Sequence, residues 1–210
     1  EIKRCDWSSD VCSSDLKLGV FDRPCLLAHA VHLTDEEIAI LAEHDVRVSH
    51  NPGSNLKLAS GIARVPELLA AGVKVSLGTD SSASNNNLDM FEEIRLAALI
   101  HKGVSHDPTV IPAMTALRMG TIDGARSIWL EDVGCLTAGY KADIIAVNID
   151  QPHLVPHSDL ASHIVYSASQ QDVTDVWVDG KQLVRNRECT TLDEEQIRFE
   201  AEICFQRLNG

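Results

Sequence analysis

Short apolar runs alternate with amphipathic stretches between residues 25 and 77. The runs at 25–28, 46–49 and 73–77 are each bounded by turn residues, which is typical of strands buried in a parallel sheet. Between the first two runs, Thr34 and Glu37 form an S/T-x-x-E capping box, which predicts the start of a helix. This alternation predicts parallel strands joined by right-handed helical crossovers, and therefore an α/β fold.

The pattern changes further along the chain. A second helix is predicted at about 61–71, with Gly72 as its C-terminal cap, and a polar loop follows the third run. Later helices are predicted at about 89–102, 108–118 and 119–130, strands at 144–147, 173–178 and 181–184, and a polar helix from Asp193. Asp179-Gly180 predicts a tight turn between the last two strands. We therefore expect a βα domain over 17–130, a small β segment over 131–192 and a C-terminal helix over 193–210.

Residues 1–16, EIKRCDWSSDVCSSDL, differ from the rest of the chain. They are rich in Ser, Asp and Cys, and they show neither helical nor strand periodicity. The string resembles the translation of a sequencing adapter, so we expect a non-native or disordered segment, with the native protein entering near Lys17. A flexible arm, or a metal-binding arm built on Cys5 and Cys12, is the alternative interpretation.

Composition narrows the choice of partners. The chain has 18 Lys and Arg against 31 Asp and Glu, a net charge of −13 that argues against nucleic acid and anionic membranes as partners. The chain contains no run of about 18 apolar residues, so no membrane-spanning helix is predicted. The six cysteines form no CxxC pair, which indicates reduced thiols and a cytoplasmic protein. The 210 residues are too few for a complete (β/α)8 barrel of about 250 residues with an appended domain.

Polar side chains follow each predicted strand. His29 follows the first, Asn55 comes after the second, and Asp80 and Ser84 come after the third. The carboxyl ends of parallel strands share one edge of a sheet, so we expect this edge to carry the chemistry. Asp80 suits a metal ligand or a base, with a helix cap as the structural alternative. His29 suits a catalytic group or a structural histidine, and Asn55 suits either a ligand contact or an Asx-type turn.

Other chemistry has less support. His153 and His157 are four residues apart, but Pro152 and Pro156 break any helix that would place them on one face. His101 is interpreted as a structural residue on a helix surface or in a loop. The sequence contains no GxSxG, GxxxxGK(S/T) or GxGxxG motif, which leaves serine hydrolase and nucleotide-phosphate sites without support.

Three motifs occur in order along the chain. They are LAHAVHL at 27–33, SHNPGSNLKL at 49–58 and LGTDSSASNN at 77–86. Together they closely resemble the amidohydrolase superfamily, in its branch of 5-methylthioadenosine/S-adenosylhomocysteine deaminases and triazine hydrolases. AGYKADI at 138–144 is similar to the family's return from its barrel into a small β-sandwich. The resemblance implies the last three βα units of a metal-dependent (β/α)8 TIM barrel, plus part of that β-sandwich.

The resemblance also implies a chemistry. It implies one divalent metal, usually zinc, with Asp80 as a ligand that also carries protons from water to the leaving ammonia. His29 would polarise the attacking hydroxide, and Ser84 and Asn55 would lie beside the substrate. The implied reaction deaminates an adenine-type nucleoside, 5-methylthioadenosine or S-adenosylhomocysteine, to its inosine form. A triazine amino- or chlorohydrolase and an inactive stand-alone fragment with a structural or interaction role are the alternatives.

One departure from the family pattern changes this expectation. The family takes two ligands from an HxH after its first strand and a third histidine after its fifth, yet no two histidines here are separated by one residue. By motif, the chain supplies Asp80 alone, and zinc normally needs three or four protein ligands. We therefore expect a C-terminal fragment that is inactive and folds poorly alone, from a full-length protein that forms homo-oligomers as its family commonly does.

Overall fold

Two sheets organise the molecule, which is described here by a computed structural model of residues 11–209, with side chains from 14 to 208. The strands are β1 Leu26–Ala28, β2 Arg47–His50, β3 Val75–Leu77, β4 Ile144–Val147, β5 Val173–Val178, β6 Lys181–Arg185 and β7 Glu188–Cys189. Strands β1, β2 and β3 form a three-stranded sheet in that order, and β4 to β7 form a four-stranded sheet. The first sheet is parallel and the second antiparallel.

Helices cover the parallel sheet and link it to the antiparallel one. They are α1 Val11–Lys17, α2 Asp35–Glu43, α3 Pro52–Lys57, α4 Val65–Ala70, α5 Met90–Ser105, α6 Ala113–Met119, α7 Ile122–Ser127, α8 Leu160–Tyr166 and α9 Glu194–Asn209. Short 3-10 turns occur at Val20–Asp22, Pro152–Leu154 and Gln170–Asp172. No helix in the described part of the chain is both long and apolar enough to cross a bilayer. The α/β architecture with parallel strands confirms the predicted fold class.

The parallel register aligns the ends of the three strands. Leu27 pairs with Val48, and Val48 pairs with Val75. Val48 and Val75 are fully buried, as is Leu68 of α4, so the centre of the sheet is part of the apolar core. Because parallel strands run in one direction, their carboxyl ends open onto one edge, where the polar residues follow.

The capping box predicted at the start of α2 is present. Thr34 Oγ1 accepts from the Glu37 N–H at 3.2 Å, and Glu37 Oε2 accepts from the Thr34 N–H at 2.8 Å. These bonds satisfy donors that the first turn of a helix leaves free, which fixes where α2 begins. Ile38 and Leu41 then point into the core.

Several segments differ from the sequence-based prediction, and helix α8 occurs where no element was predicted. Asn55 lies within helix α3 rather than in an Asx-type turn, and Pro52 begins that helix at a position where a missing N–H costs nothing. The second predicted helix is shorter and spans only Val65–Ala70. No element was predicted within 1–16, yet α1 starts at Val11 and Leu16 packs against the core. Residues 1–10, with Cys5, and the side chain of Cys12 lie outside the described residues.

The amino end of β2 is fastened to α7 and the residues that follow it. The guanidinium of Arg47 is buried and lies 4.1 Å from the ring centroid of Trp129. It also donates to the carbonyl oxygen of Arg126 and, at 3.2 Å, to Asp45 Oδ2. The cation lies over an indole face and its two terminal nitrogens are bonded, which stabilises a buried guanidinium, while Nε has no partner among the described residues. This anchor lies at the end of β2 opposite to the polar edge.

Candidate active site

Two of the polar residues predicted from the strand ends are neighbours in the structure. The His29 N–H, just past β1, donates to the Ser49 carbonyl oxygen at 2.8 Å, and the Gly78 N–H, just past β3, donates to the His50 carbonyl oxygen at 3.0 Å. These bonds extend the parallel register beyond the strands. They bring His29 Nε2 to 3.8 Å from Asp80 Oδ2. Both side chains are partly open to solvent, at 39 % and 29 % exposure, so a ligand can reach them.

Asp80 is held as a carboxylate by two hydroxyl groups. Ser84 Oγ donates to Asp80 Oδ2 at 2.6 Å, and Ser54 Oγ donates to the same oxygen at 2.7 Å. The Ser84 hydroxyl first, then Ser54, the Ser81 backbone N–H and His29, lower the pKa of Asp80 to about 2. Hydrogen bonds to the charged form of an acid favour ionisation. Asp80 is therefore negatively charged at neutral pH.

The ring of His29 is oriented by two asparagines. Its Nδ1 lies 2.8 Å from Asn55 Oδ1. The Asn51 amide, turned so that Nδ2 donates to the Gly78 carbonyl oxygen at 3.0 Å, also directs its oxygen toward this nitrogen. Two acceptors at Nδ1 assign the proton to that atom. The Nε2 atom of His29 is then on the Asp80 side of the site.

Both residues sit on unusual backbone. The φ angles of His29, Ala30 and Asp80 are 68°, 49° and 63°, in the left-handed region. Non-glycine residues in this region cost on the order of 1 kcal/mol or more each and are concentrated at functional sites. Here the strained angles occur where two side chains leave the ends of β1 and β3, the strands on either side of β2, and approach each other.

Glu93 of α5 bonds to residues next to Ser54 and Ser84, and no sequence pattern indicated that it belongs to the site. Its carboxylate is buried, and it accepts from the Gly53 N–H at 3.0 Å and from Asn85 Nδ2 at 2.7 Å. Burial raises the pKa of Glu93, while these two donors oppose that shift. In the sequence, an acid in the first turns of a helix is fully explained by the helix dipole, so no local signal marks it.

A buried histidine pair is the second feature that the sequence did not reveal. His50 Nε2 and His101 Nε2 lie 3.3 Å apart, and both side chains are excluded from solvent. The expectation that His101 lies on a helix surface or in a loop is wrong, because α5 turns that face into the core. Burial first, and then the neighbouring histidines, lower the pKa of His50 to about 3. Burial lowers the pKa of His101 to about 4.

The remaining predicted residues have clear positions. Ser84 bonds Asp80, and Asn55 is buried behind His29, where its Nδ2 has no partner among the described residues. Substrate contacts by these two residues stay predictions. His153 lies elsewhere in the chain's fold, with its Nε2 3.1 Å from Asp172 Oδ2.

The described residues do not make a complete metal site. Within residues 14–208, no group of three or more His, Cys, Asp or Glu side chains is arranged to hold an ion. Zinc normally takes three or four protein ligands, and an ionised Asp80 has the chemistry of one such ligand. The carboxylate and the imidazole are side chains of the types that serve as general acids and bases.

The polar residues lie at the carboxyl edge of a parallel sheet, where enzymes with parallel α/β folds carry their active sites. Residues 8–183 match the amidohydrolase family, and the chain belongs to that family. This confirms the resemblance drawn from the three ordered motifs.

Relatives of known name are similar over most of the chain. A 5-methylthioadenosine/S-adenosylhomocysteine deaminase of Dictyoglomus thermophilum is 55 % identical over 186 residues, which are 89 % of this chain and 44 % of that protein. A protein of the same name from Moorella thermoacetica is 57 % identical over 182 residues, 86 % of this chain and 42 % of that protein. The chain therefore spans less than half the length of these relatives.

Solved structures agree with the fold. An adenosine deaminase from Xanthomonas campestris with bound zinc has a TM-score of 0.90 at 38 % identity, over 94 % of this chain and 45 % of that one. Atrazine chlorohydrolase from Arthrobacter aurescens TC1, complexed with zinc, has a TM-score of 0.77 at 33 % identity, over 85 % of this chain and 40 % of that one. Both are therefore similar in fold to this chain over most of its length.

Proposed function

We propose that this chain is the carboxyl-terminal part of a zinc-dependent aminohydrolase. Its reaction converts 5-methylthioadenosine or S-adenosylhomocysteine to the inosine form and ammonia. The observation that carries the proposal is the 3.8 Å approach of His29 Nε2 to the ionised Asp80. It occurs at the polar edge of a chain that is 55 % identical to a deaminase of that name.

The chemistry requires groups that move protons at the substrate. Hydrolytic deamination adds water to the ring carbon that carries the amino group, and the carbon–nitrogen bond then breaks to release ammonia. Asp80, ionised at neutral pH, takes a proton from the attacking water and returns it to the leaving nitrogen. His29 Nε2 lies on the same side and polarises the attacking oxygen. The Nδ1 contact with Asn55 keeps that ring in one orientation.

Zinc is the proposed cofactor, with Asp80 as one ligand. The other ligands are proposed to belong to the portion that the relatives have and this chain does not span. Accordingly, the 210-residue chain is proposed to be inactive by itself. A cytoplasmic location, a homo-oligomer of the full-length protein and the absence of nucleic-acid or membrane partners belong to the same proposal.

The test starts from the genomic reading frame upstream of Lys17. The expected result is an in-frame HxH, and an extended protein that binds zinc and releases ammonia from 5-methylthioadenosine. Asp80→Asn in the extended protein is expected to abolish turnover, while Asp150→Asn, an exposed aspartate outside the site, leaves it unchanged. Turnover with stoichiometric zinc by the 210-residue chain, or an upstream frame without histidine ligands, contradicts the proposal.

A triazine hydrolase is the second candidate. It is supported by the TM-score of 0.77 to atrazine chlorohydrolase, at a lower identity of 33 %. The same extended protein, assayed with an amino- or chloro-triazine beside the nucleosides, separates the two candidates. A higher kcat/KM for the triazine favours the second. An upstream frame that encodes no barrel strands favours an inactive stand-alone protein with a structural or interaction role.

A further inference from the structure

We propose that Glu93 is a positioning residue that sets the distance between the two serines holding Asp80. The inference rests on the proposed function of Asp80 and extends it to a side chain that touches neither substrate nor Asp80. Its basis is the pair of hydrogen bonds that Glu93 accepts from residues adjacent to Ser54 and Ser84.

The two serines come from separate elements. Ser54 is in α3, which follows β2, whereas Ser84 is in the loop that follows β3. Both hydroxyls donate to one atom, Asp80 Oδ2, at 2.7 and 2.6 Å. A single oxygen can keep both bonds only if α3 and the loop stay at a fixed separation.

Glu93 is hydrogen-bonded both to α3 and to the loop that follows β3. One carboxylate oxygen accepts from the N–H of Gly53, the residue before Ser54, at 3.0 Å. The other accepts from the side chain of Asn85, the residue after Ser84, at 2.7 Å. Each serine is therefore one peptide bond away from a residue that the same carboxylate holds. Asn85 Oδ1 accepts from the N–H groups of Asn87 and Leu88, which extends this anchor into the loop.

The packing around Glu93 leaves little freedom. A Cβ at position 53 would come within 2.2 Å of Glu93 Oε1, so only glycine admits the carboxylate at this distance. Lys57 bridges the same elements on the exposed side, where its Nζ donates to the Ala83 carbonyl oxygen at 2.8 Å. Water competes with that outer bridge but not with the buried one, so Glu93 has the larger effect on the geometry.

Burying a carboxylate without a cationic partner is costly, and the raised pKa of Glu93 reflects that cost. An apolar side chain there would serve packing alone. A carboxylate provides two acceptors in a fork, which matches two donors from two different elements. This match is what a positioning role requires.

The first experiment measures hydrogen exchange in the extended protein, and this readout needs no activity. In the parent chain, the Gly53 amide and the 81–88 segment are expected to be protected. Glu93→Gln keeps the shape but turns one acceptor into a donor, so exchange is expected to rise in both segments. Glu43→Gln, the same change at an exposed glutamate at the end of α2, is the matched control and is expected to change neither segment.

A polarity swap provides the rescue. Combining Glu93→Gln with Asn85→Asp lets the introduced amide donate to the introduced carboxylate, while its oxygen still accepts from Gly53. Protection of both segments is expected to return toward the parent level. In the extended enzyme, Glu93→Gln is expected to lower kcat by about 10- to 100-fold with little change in KM, and the swap is expected to restore it.

The outcomes separate this inference from the proposed function. An unprotected Gly53 amide in the parent, unchanged exchange in Glu93→Gln, or loss that the swap does not restore overturns the positioning role. If the extended protein deaminates no nucleoside, the proposed function fails, while the exchange measurements still decide whether Glu93 positions the serines.

Discussion

The Nδ1 atom of His29 and the Oδ1 atom of Asn55 lie 2.8 Å apart, although the residues are separated by 26 positions in sequence. Asn55 is buried, so the contact is shielded from water and fixes the ring of a histidine that is itself partly exposed. The bond links the end of β1 to α3. It makes Asn55 the residue that decides which nitrogen of His29 faces the site.

Asn55→Leu is therefore expected to lower kcat/KM of the extended enzyme by about 10- to 100-fold. Leucine keeps the volume but removes the acceptor, so the proton of His29 is no longer held on Nδ1. Nitrogen-15 NMR of the imidazole measures the tautomer directly and should show both forms. Asn148→Leu, an asparagine in the antiparallel-sheet region, is the control. An unchanged tautomer in Asn55→Leu contradicts the assignment.

Removing the hydroxyls that bond Asp80 is expected to raise its pKa. Ser84→Ala and Ser54→Ala each remove a charge-assisted hydrogen bond, which corresponds to an upward shift of about one pKa unit per serine. Carbon-13 NMR titration of the Asp80 carboxyl in metal-free protein measures this shift. Ser162→Ala, whose hydroxyl bonds Asp159, is the control and leaves the pKa of Asp80 in place.

The buried histidine pair predicts a loss of stability in acid. The pKa values of His50 and His101 are about 3 and about 4 in the folded state, against 6.5 for an exposed histidine. Below pH 6.5 the unfolded chain binds more protons than the folded chain, so the free energy of unfolding falls as pH falls. The expected slope is on the order of 1.4 kcal/mol per pH unit for each histidine, ending near pH 4 for His101 and pH 3 for His50.

Urea unfolding between pH 7 and 4 checks this expectation. His101→Leu removes one of the two groups and is expected to flatten the slope. His106→Asn, which changes an exposed histidine at the C-terminal cap of α5, is expected to leave the slope as it is. If the free energy of unfolding changes equally with pH in the parent and in both variants, the His50–His101 pair is excluded as the cause of the acid sensitivity.

Gly53→Ala is expected to destabilise the chain by about 1–3 kcal/mol, because the added carbon meets Glu93 Oε1 and the buried carboxylate has no room to move away. Gly103→Ala is the matched control. A Cβ at that position of α5 meets nothing within 4 Å, so the change is expected to stabilise by about 0.5–1 kcal/mol. Denaturant midpoints at constant m value measure both effects.

The free edge of β1 is expected to make the 210-residue chain aggregate. Within the described residues β1 pairs only with β2, and Leu26 on its exposed face is 36 % accessible. Leu26→Lys places a charge at that edge and is expected to lower light scattering at equal concentration. Leu136→Lys changes a loop leucine that is 81 % exposed and is expected to have no such effect. Equal light scattering by the two variants excludes the free edge of β1 as the origin of the aggregation.

Much of the fold was predictable because its signals are local. Thr34 and Glu37 complete a reciprocal cap within one turn, and Asp179-Gly180 joins β5 to β6 as the turn chemistry requires. Helix α3 was not predictable in the same way. Its proline and glycine favour a turn in the sequence, and the Gly53 N–H donates to the Glu93 carboxylate, 40 positions away.

The same distinction between local and long-range signals applies to the residues of the candidate site. His29 and Asp80 were predictable as neighbours, since parallel strands bring their carboxyl ends to one edge. Glu93 and His101 were not, because both belong to an amphipathic helix whose buried face is decided only by what packs on it. The left-handed backbone of Asp80 was equally hidden, since the residue type alone does not fix the φ angle.

Strand β2 is only four residues long, so its amino end at Arg47 and its carboxyl end at His50 lie roughly 10 Å apart. Arg47 clamps one end against an indole ring, and the other end leads into the polar edge. Substitutions at the clamp can therefore change the stability of the fold without replacing any residue of the polar edge.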